Sequence, residues 1–262
     1  MVTRNLVFTA TLLMTACLDS TRSGCAEDVL ERFEKSKFQD SKKTLLYRIL
    51  KPRQAEATKR YPLVIFFHGA GERGQDNTAQ LVHGMKDFAS DANRKNYPAF
   101  VVAPQCPRGQ QWVDVPWGAK SHRMPETPSE SMRLAIALVD SLVQSHPIDP
   151  RKIYVTGLSM GGYGTFDAIC RRPDLFAAAL PICGGGDEAL ASRIQTIPLW
   201  AVHGDADQVV LPSRSTNMVA ALQKAGGKPK LTLLKGVGHN SWTSTYSDPA
   251  TFRWLFQQSK TQ

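Results

Sequence analysis

The chain has 262 residues, 42% of them hydrophobic, which is enough for one large core, and α/β folds of this length usually stay a single domain. The net charge is +9, but the basic residues are scattered in short clusters such as 51–60 and do not form aromatic-flanked stripes, which argues against nucleic-acid binding. No stretch is apolar over the roughly 20 residues a membrane-spanning helix needs, and no internal repeat or low-complexity tract is present.

The first 26 residues read as an export leader. Arg4 is followed by an apolar run over 6–16 and then by small and polar residues, which is the order of a signal peptide. Two endings fit: a lipoprotein-type cut that leaves an acylated Cys17, or an ordinary cleavage after the segment containing Cys25. Either way the expectation is a catalytic domain over 27–262 that is exported, as a secreted or periplasmic protein or one anchored by lipid at the cell envelope. Cys106, Cys170 and Cys183 remain in that domain without any C-x-x-C pair, so no zinc site is expected. An oxidising compartment permits one disulfide among the three, and burial as small apolar side chains is the commoner fate.

Along the domain, short apolar runs alternate with amphipathic stretches. Strands are expected at 44–50, 63–67, 100–103, 153–156, 177–182, 199–202 and 231–234, and helices at 129–145, 161–171, 187–195, 213–225 and 249–258. In the first helix Met132, Ile136, Val139 and Val143 recur three or four apart, with Ser129 placed to cap the start. Strands alternating with helices imply a mostly parallel sheet covered on both faces. In such sheets ligands bind at the carboxyl ends of the strands, so loops that follow strands are where chemistry belongs.

One such loop is Gly157-Leu158-Ser159-Met160-Gly161, a G-x-S-x-G turn between a strand and a helix. That is the nucleophile-elbow pattern, in which a sharp turn exposes a serine hydroxyl and its neighbours must be glycine for lack of room. A serine hydroxyl needs an adjacent base oriented by a carboxylate, and in this fold the order is Ser, then Asp or Glu, then His. Of the six histidines only His239, in "KGVGHNSW", follows both the serine and an acid candidate. The acid comes from "HGDADQVV", which offers Asp205 and Asp207. Asp205 directly follows a glycine and is suited to bonding its own turn, so Asp207 is preferred. A metal site from His203, Asp205 and Asp207 lacks a second ligand cluster nearby in sequence.

Acyl transfer also needs donors aimed at a developing oxyanion. The backbone N–H of Met160, the residue after the nucleophile, supplies one, and the Ala70 N–H in "FFHGAGERG" supplies the other. His68 and Arg73 read as packing or loop-bridging residues. The long loop over 105–128 carries Trp112 and Trp117; Trp112 and Trp242, the latter three residues from His239, are expected to wall the pocket and bind substrate.

Taken together, "PLVIFFHGAGERG", "VVAPQCP", "IYVTGLSMGGYGTF", "PICGGG", "HGDADQVV" and "GVGHNSW" resemble bacterial α/β-hydrolases of the phospholipase/carboxylesterase and feruloyl-esterase-like group, which is similar to the prolyl oligopeptidase catalytic domain. The likeness runs from about 40 to 258. It implies an α/β-hydrolase fold and a serine carboxylesterase acting without cofactor on short-chain or aromatic esters, including acetyl or feruloyl groups on plant polysaccharide. It further implies Ser159 as nucleophile, Asp207 as acid, His239 as base, and Ala70 and Met160 as oxyanion donors. The propeller that gates the related peptidases is missing, which counts against peptide cleavage, and no separate lid of the kind that marks long-chain lipases is present.

Overall fold

A computed structural model describes residues 28–260 except 42 and 57; the expected leader over 1–26, with Cys17 and Cys25, lies outside them. One sheet of eight strands organises the chain: β1 (Glu34–Asp40), β2 (Lys43–Leu50), β3 (Tyr61–Phe67), β4 (Phe100–Pro104), β5 (Ile148–Leu158), β6 (Ala178–Ile182), β7 (Trp200–Gly204) and β8 (Lys230–Leu234). Their spatial order is β1-β2-β4-β3-β5-β6-β7-β8. The pairs β1–β2 and β2–β4 are antiparallel, and every later pair is parallel.

The sheet is mostly parallel because its strands are connected by helices that cross from one end to the other. The helices are α1 (Met85–Ala89), α2 (Asp91–Asn96), α3 (Glu130–Ser145), α4 (Met160–Arg171), α5 (Ser213–Lys224), α6 (Trp242–Ser247) and α7 (Pro249–Gln257). Both faces of the sheet are covered. In β3, Leu63, Ile65 and Phe67 point into the core shared with α3, α4 and α5, while Val64 and Phe66 point into a second core with Phe88 of α1, Tyr246 of α6 and Phe252 of α7. Such two-sided burial explains why this strand is an unbroken apolar run and shows no alternation.

Several expectations change, and α1, α2 and α6 fall where no helix is expected from the sequence. The strand β1 was not foreseen, because Glu-Lys-Ser-Lys-Phe-Gln-Asp is polar and its residues remain exposed or half-buried at the sheet edge. Residues 187–195 form a 3-10 helix (Glu188–Ile194) and not an α-helix. In α3 the buried face is centred on Leu134, Ala135, Leu138 and Leu142, one step round from the expected stripe, so Ile136 and Val143 are only half-buried. Ser129 does cap that helix, its Oγ accepting from the Met132 N–H at 3.1 Å, a contact of about 1 kcal/mol. Cys106, Cys170 and Cys183 are buried free thiols.

Candidate active site

Four loops meet at the carboxyl ends of β3, β5, β7 and β8, carrying Ala70, Ser159, Asp207 and His239 respectively. Ser159 sits between β5 and α4 with φ 54° and ψ −118°, a conformation that costs a non-glycine residue about 1–3 kcal/mol. The turn is held from both sides. Its N–H donates to Ile182 O at 3.0 Å, and a Cβ at Gly161 would collide with the carbonyl groups of Phe67 and His68. The close approach of helix to strand therefore requires glycine at 161, and the tight elbow lifts the serine side chain out of the core.

Ser159 Oγ lies 2.9 Å from His239 Nε2, and His239 Nδ1 donates to Asp207 Oδ2 at 2.7 Å. Asp207 is fully enclosed, while the His239 side chain keeps 21% exposure. The other carboxylate oxygen, Asp207 Oδ1, accepts from the Val209 and Val210 amides at 2.8 and 3.0 Å. Burial alone pushes the Asp207 carboxyl upward, but the hydrogen bonds from His239 and these two amides outweigh it and hold the group below the usual carboxylate range. Asp205 is exposed and turned away, accepting from the Gly236 N–H at 2.7 Å, so His203, Asp205 and Asp207 do not converge. Cys183, Asp207 and His239 place ligand-type atoms within 4.8 Å of one another, but these atoms are occupied in hydrogen bonds, with Cys183 Sγ accepting from the Ser159 N–H at 3.3 Å. Burial pushes the Cys183 thiol up to about 12, so it stands neutral beneath the serine.

The two expected oxyanion donors share a structural origin. Met160 is the first residue of α4, and Ala70 the first of a 3-10 turn (Ala70–Glu72). First-turn amides have no carbonyl within their own helix to bond. The Gly69–Ala70 peptide is oriented by His68, whose Nε2 accepts from the Cys106 N–H at 2.9 Å and whose Nδ1 then donates to Gly69 O at 2.6 Å. In a trans peptide the following N–H points opposite to that carbonyl, so the Ala70 amide faces away from His68. Arg73 Nε fastens the next carbonyl, Ala70 O, at 2.8 Å. Burial pushes the His68 pKa down to about 4, which keeps the ring neutral at pH 7.

The two tryptophans expected to bind substrate separate. Trp242 is partly exposed and edge-on to His239, ring centroids 5.3 Å apart, and the His83 ring lies at the same distance from it. Trp112 is a correction: it has no exposed surface and packs on the Phe67 ring at 4.7 Å while its indole N–H donates to His68 O at 3.0 Å. It supports the oxyanion loop from behind and offers no face to a substrate. Sequence reasoning missed the role of buried Arg214, whose guanidinium donates to Lys120 O at 2.8 Å and to Gly186 O at 3.3 Å, and contacts Glu188, Tyr163 and His122. This clamps the long loop over 105–128 to the domain, and an isolated arginine in a polar helix start carries no signal of it.

A mostly parallel eight-stranded sheet, helices on both faces, and a serine elbow facing a histidine and a buried aspartate define an α/β-hydrolase. The phospholipase/carboxylesterase family matches residues 51–253, and the chain belongs to it. A probable carboxylesterase of Oryza sativa subsp. japonica is 26% identical over 205 residues, covering 72% of this chain and 75% of that protein. Feruloyl esterase B of Piromyces equi is 25% identical over 179 residues, which cover 65% of this chain and 30% of that protein. The crystal structure of a thermostable esterase is 38% identical with a TM-score of 0.83; the match covers 88% of this chain and 64% of the other, so this chain spans slightly less than two thirds of that protein.

Proposed function

We propose that the protein is a serine hydrolase that cleaves carboxylic esters through an acyl-enzyme. The observation that carries this reading is the unbroken hydrogen-bond chain from Ser159 Oγ through His239 to Asp207, at 2.9 and 2.7 Å. His239 Nε2 takes the hydroxyl proton as Oγ attacks the ester carbonyl, Asp207 stabilises the imidazolium, and the Ala70 and Met160 amides receive the oxyanion. The alcohol departs with the proton from His239, and water repeats the cycle on the acyl-enzyme.

Its substrates on this reading are short-chain or aromatic esters, including acetyl or feruloyl groups on plant polysaccharide; the likeness to a feruloyl esterase supports the aromatic acyl group, and Trp242 beside His239 offers an aromatic edge for it. The leader-like residues 1–26 support export, secreted or held through an acylated Cys17. The test is a panel of acetyl, butyryl, octanoyl and feruloyl esters with a matched p-nitroanilide, run on wild type and Ser159→Ala. Turnover of at least one ester, little of the anilide, and a loss of about 10^3-fold or more in the variant are expected. A variant that keeps most of its activity overturns the reading.

A further inference from the structure

Asp207 faces two histidines. His203, at the end of β7 and without exposed surface, brings Nε2 to 3.2 Å from Asp207 Oδ2, the same oxygen that accepts from His239. His203 Nε2 also lies 2.9 Å from Val210 O. Both neighbours are acceptors, so Nε2 carries a proton; bare, its lone pair would face two oxygens. The three residues close a ring, because the Val210 N–H donates to Asp207 Oδ1 at 3.0 Å.

The far side of the imidazole admits two protonation states. Nδ1 is 2.7 Å from Ser215 Oγ, which is itself 2.9 Å from Gly184 O. A hydroxyl has one hydrogen. With a neutral ring Ser215 gives it to Nδ1; giving it to Gly184 instead requires a proton on Nδ1 and a buried cation. Burial opposes that cation and pushes the His203 pKa down.

We propose that His203 is a positioning residue for the triad: its neutral Nε2–H tautomer holds Asp207 Oδ2 in line with His239 Nδ1 and shares that oxygen's negative charge. This rests on the triad reading above. His203 thereby sets how strongly the carboxylate stabilises a proton on His239. Around the pair, Tyr163 of α4 and Cys183 after β6 are held neutral by burial, and the Arg214 guanidinium on α5 is turned to Glu188 and Gly186 O. Glu72, whose Oε2 lies against Gly69 beside Ser159, meets His83 at 3.6 Å through Oε1, and this pair is the same in wild type and in any His203 variant. That leaves His203 and His239, among the described residues, as the titratable groups in direct contact with Asp207.

The experiment compares His203→Asn, which keeps a polar atom near Nδ1 but removes the Nε2 donor, with His203→Gln, which keeps a donor at the Nε2 position. For p-nitrophenyl acetate the Asn variant is expected to move the acid limb of the kcat/KM profile upward by about half to one pH unit, with KM unchanged. The direction follows because an unshared Oδ2 stabilises a protonated His239 more. The Gln variant restores the wild-type limb. Fluorophosphonate labelling of Ser159 counts competent sites in each preparation. In wild type carrying 15N-histidine, His203 is expected as the neutral Nε2–H tautomer at pH 7, a readout that needs no variant to fold. A fully labelled Asn variant with an unmoved acid limb, or an Nδ1–H tautomer in wild type, overturns the assignment. Failure of wild type to label at Ser159 would instead overturn the triad reading beneath it.

Discussion

Two loops of this molecule use the same dipeptide to opposite ends. His68-Gly69 follows β3 and His203-Gly204 ends β7; both rings are buried and both have their pKa pushed down by that burial. Yet they hold their protons on opposite nitrogens. In the oxyanion loop an amide donor, Cys106 N–H, occupies the Nε2 side, so the ring accepts there and donates from Nδ1 to Gly69 O. In the acid loop oxygens occupy the Nε2 side, so the ring donates there. The partner chooses the tautomer, and the tautomer decides what the ring does. On the proposed mechanism, one histidine aims a backbone donor at charge that develops, and the other adds a donor to charge that stands.

The largest break in this comparison is expected from Asp207→Asn. Four N–H groups point at the Asp207 carboxylate, two on each oxygen, so the amide NH2 faces donors whichever way it turns. The His239 tautomer is then lost, and kcat is expected to fall by about 10^4-fold at nearly constant KM. Asp205→Asn serves as the control: the Asp205 carboxylate accepts from the neighbouring loop at the Gly236 N–H, and steady-state kinetics should show a change of a few-fold at most.

Next in size is the oxyanion side, where the rescue pattern is expected to invert. His68→Asn places a donor where Nδ1 stood and can still hold Gly69 O, whereas His68→Gln keeps a group only on the Nε2 side. The Gln variant is expected to lose about 10^2-fold in kcat, the scale of one oxyanion donor, and the Asn variant much less. Equal losses in the two would mean that the Ala70 amide is not aimed through the Gly69 carbonyl.

The same ring gives the loop a pH signature. His68 titrates near 4 in the folded protein against an ordinary 6.5, so on acidification the unfolded chain takes up the proton first. Its contribution, about 3 kcal/mol from that difference, is present in full above pH 6.5 and is lost as pH falls toward 4. Asp207, held below its usual range, adds a loss of the same sign on acidification. Urea midpoints of wild type and His68→Asn should therefore converge between pH 7 and pH 4; a constant gap would refute a neutral buried His68.

How much of this was legible in the sequence depended on whether a residue's role is local. The elbow around Ser159 is written in consecutive residues because one turn imposes its glycines, and chain order singled out His239 and placed an acid after β7. The roles of His203 and Trp112 are not local. His203 precedes the acid candidates and fails as the base, and nothing in "HGDADQVV" reveals that the chain folds back to lay its ring on Asp207. Trp112 lies in a proline-rich loop that looks solvent-facing, but the indole is drawn under His68 because its N–H finds a carbonyl there. The polar strand β1 escaped for a related reason: as an edge strand it is held by its pairing with β2, which composition does not record.

Trp112 sharpens the comparison at its smallest scale, because it stands to the oxyanion loop as Ser215 does to the acid loop: each holds a histidine from behind, Trp112 through the His68 carbonyl and Ser215 through the His203 ring. Trp112→Phe keeps most of the packing on Phe67 but deletes the donor to His68 O and leaves that buried carbonyl one partner short. Stability is expected to fall by about 1–3 kcal/mol, read from urea unfolding. Because no part of the indole reaches the cleft, KM should stay at the wild-type value for acetyl and feruloyl esters alike, while kcat falls a few-fold as the Gly69–Ala70 peptide loosens. A selective rise in KM for the feruloyl ester would place this ring against the substrate after all and undo its assignment as a prop.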